Sequence, residues 1–380
     1  MKLSTFTYSD TDQTAIPNIT IKNPDRTLVI MFGPSHLLDA PAPVQSVLAA
    51  YPGAPAIGCS SSGEIFGTHI QDNTLVVALL QFEHTTVRTA SAPVTEPGQS
   101  FEAAQSLARQ LMDPGLRGVL VLSDGLGVNG SELIRGLNTV LPAHVVVSGG
   151  LAGDGERFKR TWVVKDGLPA GGYVTAVGLY GTAVRLTHGS KGGWDLFGPE
   201  RLITRSHGNV LYELNHKPAL QLYKDYLGEL ASGLPGTALH FPLSIRQKQE
   251  ETKRLVRTIL GIDHTAQSLT FAGDMPEGAY AQFMRANFDR LIQGASDAAT
   301  LATPLSTDST PTLSIAISCV GRRMVLGQRT EEEVEATFDI LPKGAQQIGF
   351  YSYGEISPYS TGQCDLHNQT MTLTTISEAA

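Results

Sequence analysis

The sequence has few cysteines and little basic charge, and each shortage excludes a class of protein. Cys59, Cys319 and Cys364 are an odd number in 380 residues, which does not fit a disulfide framework. The net charge of −8 leaves little of the basic surface that sequence-independent nucleic-acid binding requires. The same charge disfavours docking on anionic lipid. We therefore expect neither a nucleic acid nor a membrane as a partner.

Long apolar runs are also missing. No run is long enough to span a membrane, and Met1–Asp10 lacks the apolar core of a signal peptide. Together with the small number of cysteines, these absences predict a cytoplasmic protein. What is present is a hydrophobic content of 41% beside 17% charged residues, enough to bury a core, and the length predicts two domains.

A threefold repetition is the strongest pattern in the chain. Three stretches contain a glycine directly followed by an acid at or next to their last residue, and each follows an apolar run and a helical segment. From the end of each run to the acid is 31, 30 and 36 positions, counted from 33 to 64, 124 to 154 and 319 to 355. We interpret this as an α/β fold that uses one strand–helix–strand unit three times in mixed sheets. The runs are Thr27–Gly33, Gly118–Asp124 and Leu313–Cys319, and the stretches are Gly58–Ile65, Ser148–Asp154 and Gly349–Ile356.

The acids of these stretches are candidate ligand-binding residues. Right-handed connections between parallel strands place each Gly-acid loop at the carboxyl end of a strand, where open α/β sheets bind ligands. Glu64, Asp154 and Glu355 are the acids concerned. The alternative is that glycine and acid only turn the chain after a strand.

Two adjacent arginines, Arg322 and Arg323, follow the third apolar run. Their planar guanidinium groups suit a carboxylate or a phosphate at the end of a strand. The alternative is an ion pair with Glu331–Glu333 on the next helix.

Other segments predict further elements. Thr74–Phe82 and Thr85–Ala90 are β-rich and close together, which predicts a hairpin. Glu277–Ala299 is the longest predicted helix. Residues 1–26 are polar and turn-rich, which predicts a loosely tied segment.

Metal signals are sparse, and His188 is the histidine of most interest. It ends a predicted strand beside a glycine-rich loop, with Trp194 and Phe197 nearby as an apolar wall. No C-x-x-C-H motif occurs, which excludes covalent c-type haem, but a single histidine can still hold haem non-covalently. The alternative is a hydrogen-bonded surface histidine. Cys364–His367 is half of a metal site without a second half.

Signals for catalysis are weak. Gly125–Gly130 matches G-x-G-x-x-G, but the acid expected about twenty residues later is absent, so a glycine-rich turn competes with a dinucleotide site. Cys59 and Cys319 lie at similar strand ends without a histidine that the sequence forces beside them. Both are expected to be buried structural thiols.

Several motifs in order resemble the FIST family, named for F-box and intracellular signal transduction proteins. The resemblance runs from about Thr27 to Ile376 and implies an N-terminal sensory domain over 27–232 and a C-terminal domain over 233–378. The motifs are Ile57–Ile65, Ser148–Asp154, Ser318–Arg323, Gly349–Ile356 and Leu366–Thr370.

The resemblance implies a non-enzymatic sensor that binds a small ligand and reports to a separate signalling protein such as a histidine kinase. Thr187–Trp194 and Phe271–Gly278 resemble the nitric-oxide-sensing haem proteins of the family. They imply haem b as cofactor, with His188 as the iron ligand beside Trp194 and Phe197. Two alternatives stay open: a sensor for a small organic anion such as an amino acid, using Arg322, Arg323 and the Gly-acid loops, and a dinucleotide-binding enzyme.

Overall fold

The computed structural model describes residues 1–9, 16–303, 310–359 and 363–379. Strands account for more of the described chain than helices do. The strands are β1 Lys2–Tyr8, β2 Thr27–Gly33, β3 Ala56–Ser60, β4 Glu64–Phe66, β5 His69–Gln71, β6 Leu75–Gln81, β7 Thr86–Pro93, β8 Leu116–Ser123, β9 Val146–Leu151, β10 Val163–Lys165, β11 Leu168–Ala170, β12 Tyr173–Tyr180, β13 Val184–Lys191, β14 Asp195–His207, β15 Val210–Leu214, β16 Lys217–Pro218, β17 Leu243–Arg246, β18 Leu255–Arg257, β19 Ile259–Asp263, β20 Ser268–Phe271, β21 Tyr280–Arg285, β22 Leu313–Cys319, β23 Gln346–Ser352, β24 Gly354–Pro358, β25 Cys364–His367 and β26 Met371–Glu378.

The helices connect strands or cover their faces, and in the described ranges none is long and apolar enough to cross a membrane. They are α1 Ala42–Ala50, α2 Ser100–Leu111, α3 Gly130–Val140, α4 Ala219–Leu227, α5 Phe288–Ala302, α6 Val320–Leu326 and α7 Thr330–Phe338.

Three of the sheets are built to one plan. Their strand orders are β1-β6-β2-β3-β10-β11, β7-β12-β8-β9-β24-β25 and β13-β26-β22-β23-β4-β5. Each has a central parallel pair, β2 with β3, β8 with β9 or β22 with β23, and a helix connects the two strands of each pair. The predicted strand–helix–strand unit, used three times in mixed sheets, is therefore confirmed.

Each unit also contributes strands to the sheet of a neighbouring unit. After its Gly-acid loop the chain leaves its own sheet, so that β4 pairs with β23, β10 with β3 and β24 with β9, all antiparallel. The exchange passes from the first unit to the third, from the second to the first and from the third to the second. It closes the three units into a ring, with the loops at the crossing points.

The ring encloses a common core. Phe32 from the first sheet stacks on Phe350 from the third at 4.6 Å between ring centroids. Leu122 from the second sheet belongs to the same buried cluster. The strands that carry these residues, β2, β8 and β23, are almost wholly buried, as apolar parallel strands covered on both faces are.

A fourth sheet forms an inserted domain, residues 195–285, between β13 and α5. Its order is β18-β17-β21-β14-β15-β20-β19, with β16 beside β15, and α4 packs against it. Its core includes Tyr223, Phe271 and Phe283, all buried. Because sheet three mixes β4, β5 and β13 with β22, β23 and β26, the predicted division at 232/233 does not separate two independent sheets, and it stays a prediction.

Three predicted elements differ from the observed ones. The helix predicted over Glu277–Ala299 is wrong in its first part, because Tyr280–Arg285 is strand β21 and α5 begins only after Asn287, whose side chain accepts the Arg290 N–H. The predicted hairpin is wrong, because β6 pairs in the first sheet while β7 pairs with β12 in the second. The N-terminal segment contains β1, which pairs with β6 over seven residues from Lys2 to Tyr8.

Candidate functional site

The three Gly-acid loops meet at the carboxyl ends of the central strands. The Ser62 N–H donates to the Tyr351 carbonyl and the Tyr351 N–H donates to the Gly63 carbonyl, both at 2.9 Å. The Gly153 N–H donates to the Ser60 carbonyl at 3.0 Å, which ties the second loop to the first. The repeat therefore brings the loops together at the edge where the sequence predicted a site.

A cleft of about 790 Å³ opens where the loops meet, and we call it the polar chamber. All three units contribute to its wall. The lining residues are Pro34, Ser61, Ser62, Gly63, Glu64, Ile70, Asp72, Asn73, Gly155, Glu156, Arg157, Val320, Arg323, Met324, Gly327, Gln328, Thr330 and Glu331.

Arg323 is the central cation of the polar chamber. Its guanidinium donates to both carboxylate oxygens of Asp72, at 2.9 and 2.8 Å, and to the Ser62 carbonyl. The Arg323 side chain is 28% exposed and that of Asp72 60% exposed. The guanidinium lies so close to Gly63, whose φ is +135°, that a Cβ at this position would collide with it. The positive φ favours glycine at this position, and a side chain there would also displace the guanidinium.

A second cation, Arg157, lies across the chamber and is less engaged. Its side chain is 59% exposed, donates to the Ser35 hydroxyl at 3.2 Å and lies 3.8 Å from the Asp154 carboxylate. It therefore has guanidinium hydrogens to offer a ligand.

Glu64 forms a neutral part of the chamber wall. The residue is only 1% exposed, and burial raises the pKa of its carboxyl to about 8 despite hydrogen bonds from Ser61 and the Thr74 N–H. At pH 7 the carboxyl is therefore mostly protonated, and it does not repel an anion in the chamber.

Asp154 holds a strained loop rather than facing a ligand. Its fully buried carboxylate accepts the N–H groups of Phe158, Lys159 and Arg160 at 2.9, 3.1 and 3.1 Å. Burial acts to raise the pKa of Asp154, but the hydrogen bonds from Tyr353 and these N–H groups outweigh it, and the pKa is lowered. Phe158 has a φ of +49°, rare for a bulky residue. The carboxylate stabilises that conformation.

Next to the polar chamber lies a smaller cavity of about 300 Å³, which we call the apolar chamber. The two share Glu156, Val320 and Met324. The inserted domain forms one side, and the second and third units form the other. The lining residues are Glu156, Phe158, Pro235, Gly236, Leu239, Thr258, Ile259, Leu260, Ala272, Cys319, Val320, Gly321, Met324 and Tyr353.

Besides Asp154, two further predicted ligand-binding residues are inside the protein and line neither chamber. Arg322 is fully buried and donates to Glu333 at 2.9 and 2.8 Å and to the Leu291 carbonyl at 2.8 Å. It forms the ion pair with the Glu331–Glu333 segment that was the structural alternative. Glu355 is also fully buried and accepts from the Ser352 and Thr370 hydroxyls, and burial raises its pKa to about 8.

The three residues predicted to hold haem have different surroundings. His188 lies partly buried on β13, opposite Thr374, and burial lowers its pKa. The buried Trp194 donates its indole N–H to the Gln369 carbonyl at 2.8 Å. Phe197 packs inside the aromatic cluster of the inserted domain, 5.9 Å from Phe283 between ring centroids.

None of the three lines either chamber. A planar macrocycle would have to displace two separate packed clusters to touch them all, so these residues do not fit haem. Within the described ranges there is also no group of three histidine, cysteine or acidic residues arranged to hold a metal ion.

The remaining motifs have structural explanations. Asp124 accepts the N–H groups of Leu126 and Gly127, and Gly125 has no room for a Cβ against the Ala152 carbonyl, so the glycine-rich motif forms a tight turn. Burial raises the pKa of the thiols of Cys59 and Cys319, which are therefore unreactive.

Sequence reasoning missed Arg157, Phe158, Glu156 and Asp72. One signal was available for Phe158, because an aromatic residue surrounded by Arg157, Lys159 and Arg160 in a loop is unusual. Its 47% exposure makes it one of the large apolar side chains that the fold leaves at the surface.

Comparisons with known proteins cover almost the whole chain. The family model of the FIST N domain matches residues 27–217, and that of the FIST C domain matches residues 219–358. Two uncharacterized proteins of Mycobacterium tuberculosis, from strains CDC 1551 / Oshkosh and H37Rv, are each 25% identical over 365 residues. That match covers 91% of this chain and 89% of each relative.

Among solved structures, the cyanuric acid hydrolase of A. caulinodans matches with a TM-score of 0.36 and 8% identity, over 93% of this chain and 90% of that one. PurLQS from Thermotoga maritima matches with a TM-score of 0.17 and 9% identity, over 94% and 66% of the two chains.

Proposed function

Because the chain belongs to the FIST family, we propose that it is a non-enzymatic sensor for a small zwitterionic acid, such as an amino acid, bound in the polar chamber. FIST N and FIST C domains are small-ligand-sensing domains of signalling proteins. The identity of the ligand is the proposal. It follows the organic-anion alternative of the sequence analysis, with Arg323 kept and Arg322 removed from the site.

The observation that carries the proposal is the pair of Arg323 and Asp72, in which Asp72 is exposed and Arg323 is partly exposed. A guanidinium that already binds one carboxylate in a two-pronged geometry has the shape to bind another. Surface ion pairs contribute little to stability, so the exchange costs little. The ligand carboxylate takes the place of Asp72, and Asp72 becomes free to pair with the ligand ammonium.

The charges around the chamber favour a ligand with both signs. Arg157 and Arg323 are cationic, while Asp72, Glu156 and Glu331 are the acids other than Glu64. A purely anionic ligand would be repelled by the three acids, and a purely cationic ligand by the two arginines. Protonated Glu64, with its pKa of about 8, adds a hydrogen-bond donor without negative charge.

The position of the chambers suits signalling. They lie between three units of the ring and the inserted domain, so a ligand that fills them contacts elements far apart in sequence. A ligand shifts a two-state equilibrium only by its difference in affinity for the two states. Closure of the inserted domain over the ligand would supply such a difference. That the output passes to a separate histidine kinase stays a prediction.

Calorimetric titration of the protein with the standard amino acids tests the proposal. Arg323→Ala should weaken binding of the best amino acid by at least about tenfold, since a hydrogen bond to a charged group contributes roughly 1.5–3 kcal/mol. Arg205→Ala is the matched control. The Arg205 guanidinium pairs with the Glu213 carboxylate at 3.0 Å, and neither residue lines a chamber. Unchanged binding in Arg323→Ala would overturn the proposal.

The haem-based nitric oxide sensor stays a prediction with its own test. Protein expressed with haem precursor should be examined by absorption spectroscopy in the reduced state, with and without nitric oxide. A Soret band that shifts with the gas and disappears in His188→Ala would establish the haem sensor. A colourless protein that binds amino acids only with Arg323 intact supports the zwitterion sensor.

A further inference from the structure

We infer that the ligand carries a large apolar side chain and that the apolar chamber receives it. This inference rests on the proposed function, because it assumes that the charged end of the ligand lies in the polar chamber. The ligand class is then a zwitterionic acid with an aromatic or branched apolar side chain.

Continuity between the chambers is the first support. Val320 and Met324, on the first turns of α6, line both cavities, and so does Glu156 from the opposite loop. Arg323 lies between these two apolar residues in sequence and faces the polar side. A ligand of a few ångströms can therefore keep its carboxylate on Arg323 while its side chain passes between Val320 and Met324.

The chemistry of the apolar chamber is the second support. Glu156, at the shared boundary, is the only charged residue in the lining given above. The Tyr353 hydroxyl has a single hydrogen, which it donates to the Asp154 carboxylate, and its oxygen also lies 2.9 Å from the Gly155 carbonyl oxygen. The aromatic ring is therefore the surface that Tyr353 offers to the chamber. The Cys319 thiol is neutral, because burial raises its pKa. The buried hydroxyl of Thr258 has no hydrogen-bond partner among the residues that the structure describes.

A polar ligand group would lose its water there and gain almost no hydrogen bonds, which is unfavourable. An apolar group loses nothing by leaving water. A volume of about 300 Å³ is at the lower end for small-molecule pockets and suits one ring or one branched chain rather than a whole cofactor.

Exposed apolar side chains at the chamber mouth are the third support. Phe158 is 47% exposed and Leu260 is 48% exposed, and they lie on opposite sides of the cavity, one on the second unit and one on the inserted domain. Phe158 stacks on Tyr353 at 4.5 Å between ring centroids. Its backbone is held at a φ of +49° by hydrogen bonds to Asp154. Strained conformations that the surroundings enforce cluster at ligand sites.

A series of amino acids with one head group and different side chains tests the inference. Glycine, L-alanine, L-leucine and L-phenylalanine are titrated into the 380-residue protein by calorimetry. L-leucine or L-phenylalanine should bind at least about tenfold more tightly than glycine and L-alanine, because only their side chains reach the apolar chamber. Thermal unfolding of each variant confirms that it is folded.

Variants of the chamber wall locate the effect. Phe158→Ala and Leu260→Ala should each reduce the preference for the large side chain to within about threefold. Glycine binding should stay within about twofold, because both residues lie outside the polar chamber. Leu168→Ala is the matched control for Leu260→Ala, since Leu168 is 46% exposed and lines neither chamber.

The outcomes separate the inference from the function on which it rests. If none of the four amino acids binds, the zwitterion sensor falls and the inference falls with it. If glycine binds as tightly as L-phenylalanine, the inference is overturned and the polar chamber remains the site. If the preference persists in both Phe158→Ala and Leu260→Ala, the side chain binds elsewhere and the apolar chamber is not its site.

Discussion

Arg322 and Arg323 are neighbours on α6, yet they belong to two regions with opposite properties. Arg322 is in a buried cluster with Ser318, Glu333 and Tyr351, where both charged side chains are fully buried. Arg323 is in the wall of the polar chamber and pairs with an Asp72 that is 60% exposed. Arg322 thus stabilises the packing of the interior, whereas Arg323 can exchange its partner for a ligand.

The reason is the number of competing groups around each guanidinium. Arg322 donates to the Glu333 carboxylate and to main-chain carbonyls, including that of Leu291, so no hydrogen is left for a ligand and no water can replace a partner. Arg323 faces solvent, where a carboxylate of a ligand and that of Asp72 are nearly equivalent. An arginine at a strand end is therefore a ligand-binding residue only where its partner is exposed.

Removing Arg322 should have the largest effect on stability. Arg322→Ala leaves Glu333 as an unpaired buried charge, which costs about 3–5 kcal/mol. Arg323→Ala should cost about 1 kcal/mol, because its partner Asp72 is exposed to solvent. Urea denaturation of both variants measures the contrast directly. Equal losses of unfolding free energy would abolish the distinction between the two regions.

Removing the Asp154 side chain should have an intermediate effect on stability. Its carboxylate holds the loop that places Phe158 in the wall of the apolar chamber. Asp154→Ala leaves the N–H groups of Phe158, Lys159 and Arg160 without their acceptor, and we expect a loss of about 1–3 kcal/mol. The preference for L-phenylalanine over glycine should also fall, since Phe158 is no longer held in place. Hydrogen exchange should accelerate in this loop alone. A variant with wild-type side-chain preference would contradict the role given to Asp154.

The smallest expected effect on stability is its pH dependence, which involves two buried carboxyls with similar pKa values in different regions of the protein. Glu64 and Glu355 both have a pKa of about 8 in the fold against an ordinary value of 4.5. Between these values the folded protein binds more protons than the unfolded chain, so stability falls as pH rises through this window. The slope is up to ~1.4 kcal/mol per pH unit for each group.

Glu64→Gln and Glu355→Gln should each flatten this dependence, as urea denaturation from about pH 5 to about pH 8 would measure. Only Glu64→Gln should change how ligand affinity depends on pH, because Glu64 lines the polar chamber and Glu355 does not. If Glu355→Gln changes the pH dependence of binding and Glu64→Gln does not, the assignment of the two residues is reversed.

Much of the ring could be predicted from the sequence. Apolar runs followed by Gly-acid stretches at similar spacing indicate three strand–helix–strand units, because local hydrophobic patterns determine where strands form. The exchange of β4, β10 and β24 between sheets could not be predicted, since a short strand carries no signal for the sheet that it joins. The start of α5 was also missed, because the strand Tyr280–Arg285 is directly followed by a helix and the residues between them do not interrupt the apolar pattern strongly.

The sequence predicted where the site lies, but it did not identify most of the residues that line it. The Gly-acid loops indicated the correct edge, but Glu64 alone of the three acids lines the polar chamber, while Asp154 and Glu355 bind within the protein. Arg322 and Arg323 differ only in the direction of their side chains on one helix, and that direction depends on packing from distant segments. The position of the Phe158 side chain depends on a positive φ, and the sequence gives no sign of a positive φ at a residue other than glycine.

Hydrogen–deuterium exchange with and without L-phenylalanine tests the central claim most directly. We predict protection on ligand binding in three segments that meet only in the folded ring, residues 61–64, 155–158 and 320–324, with no change in residues 187–197. Protection of residues 187–197 without protection of the three loops would contradict the account and return the ligand site to the surroundings of His188.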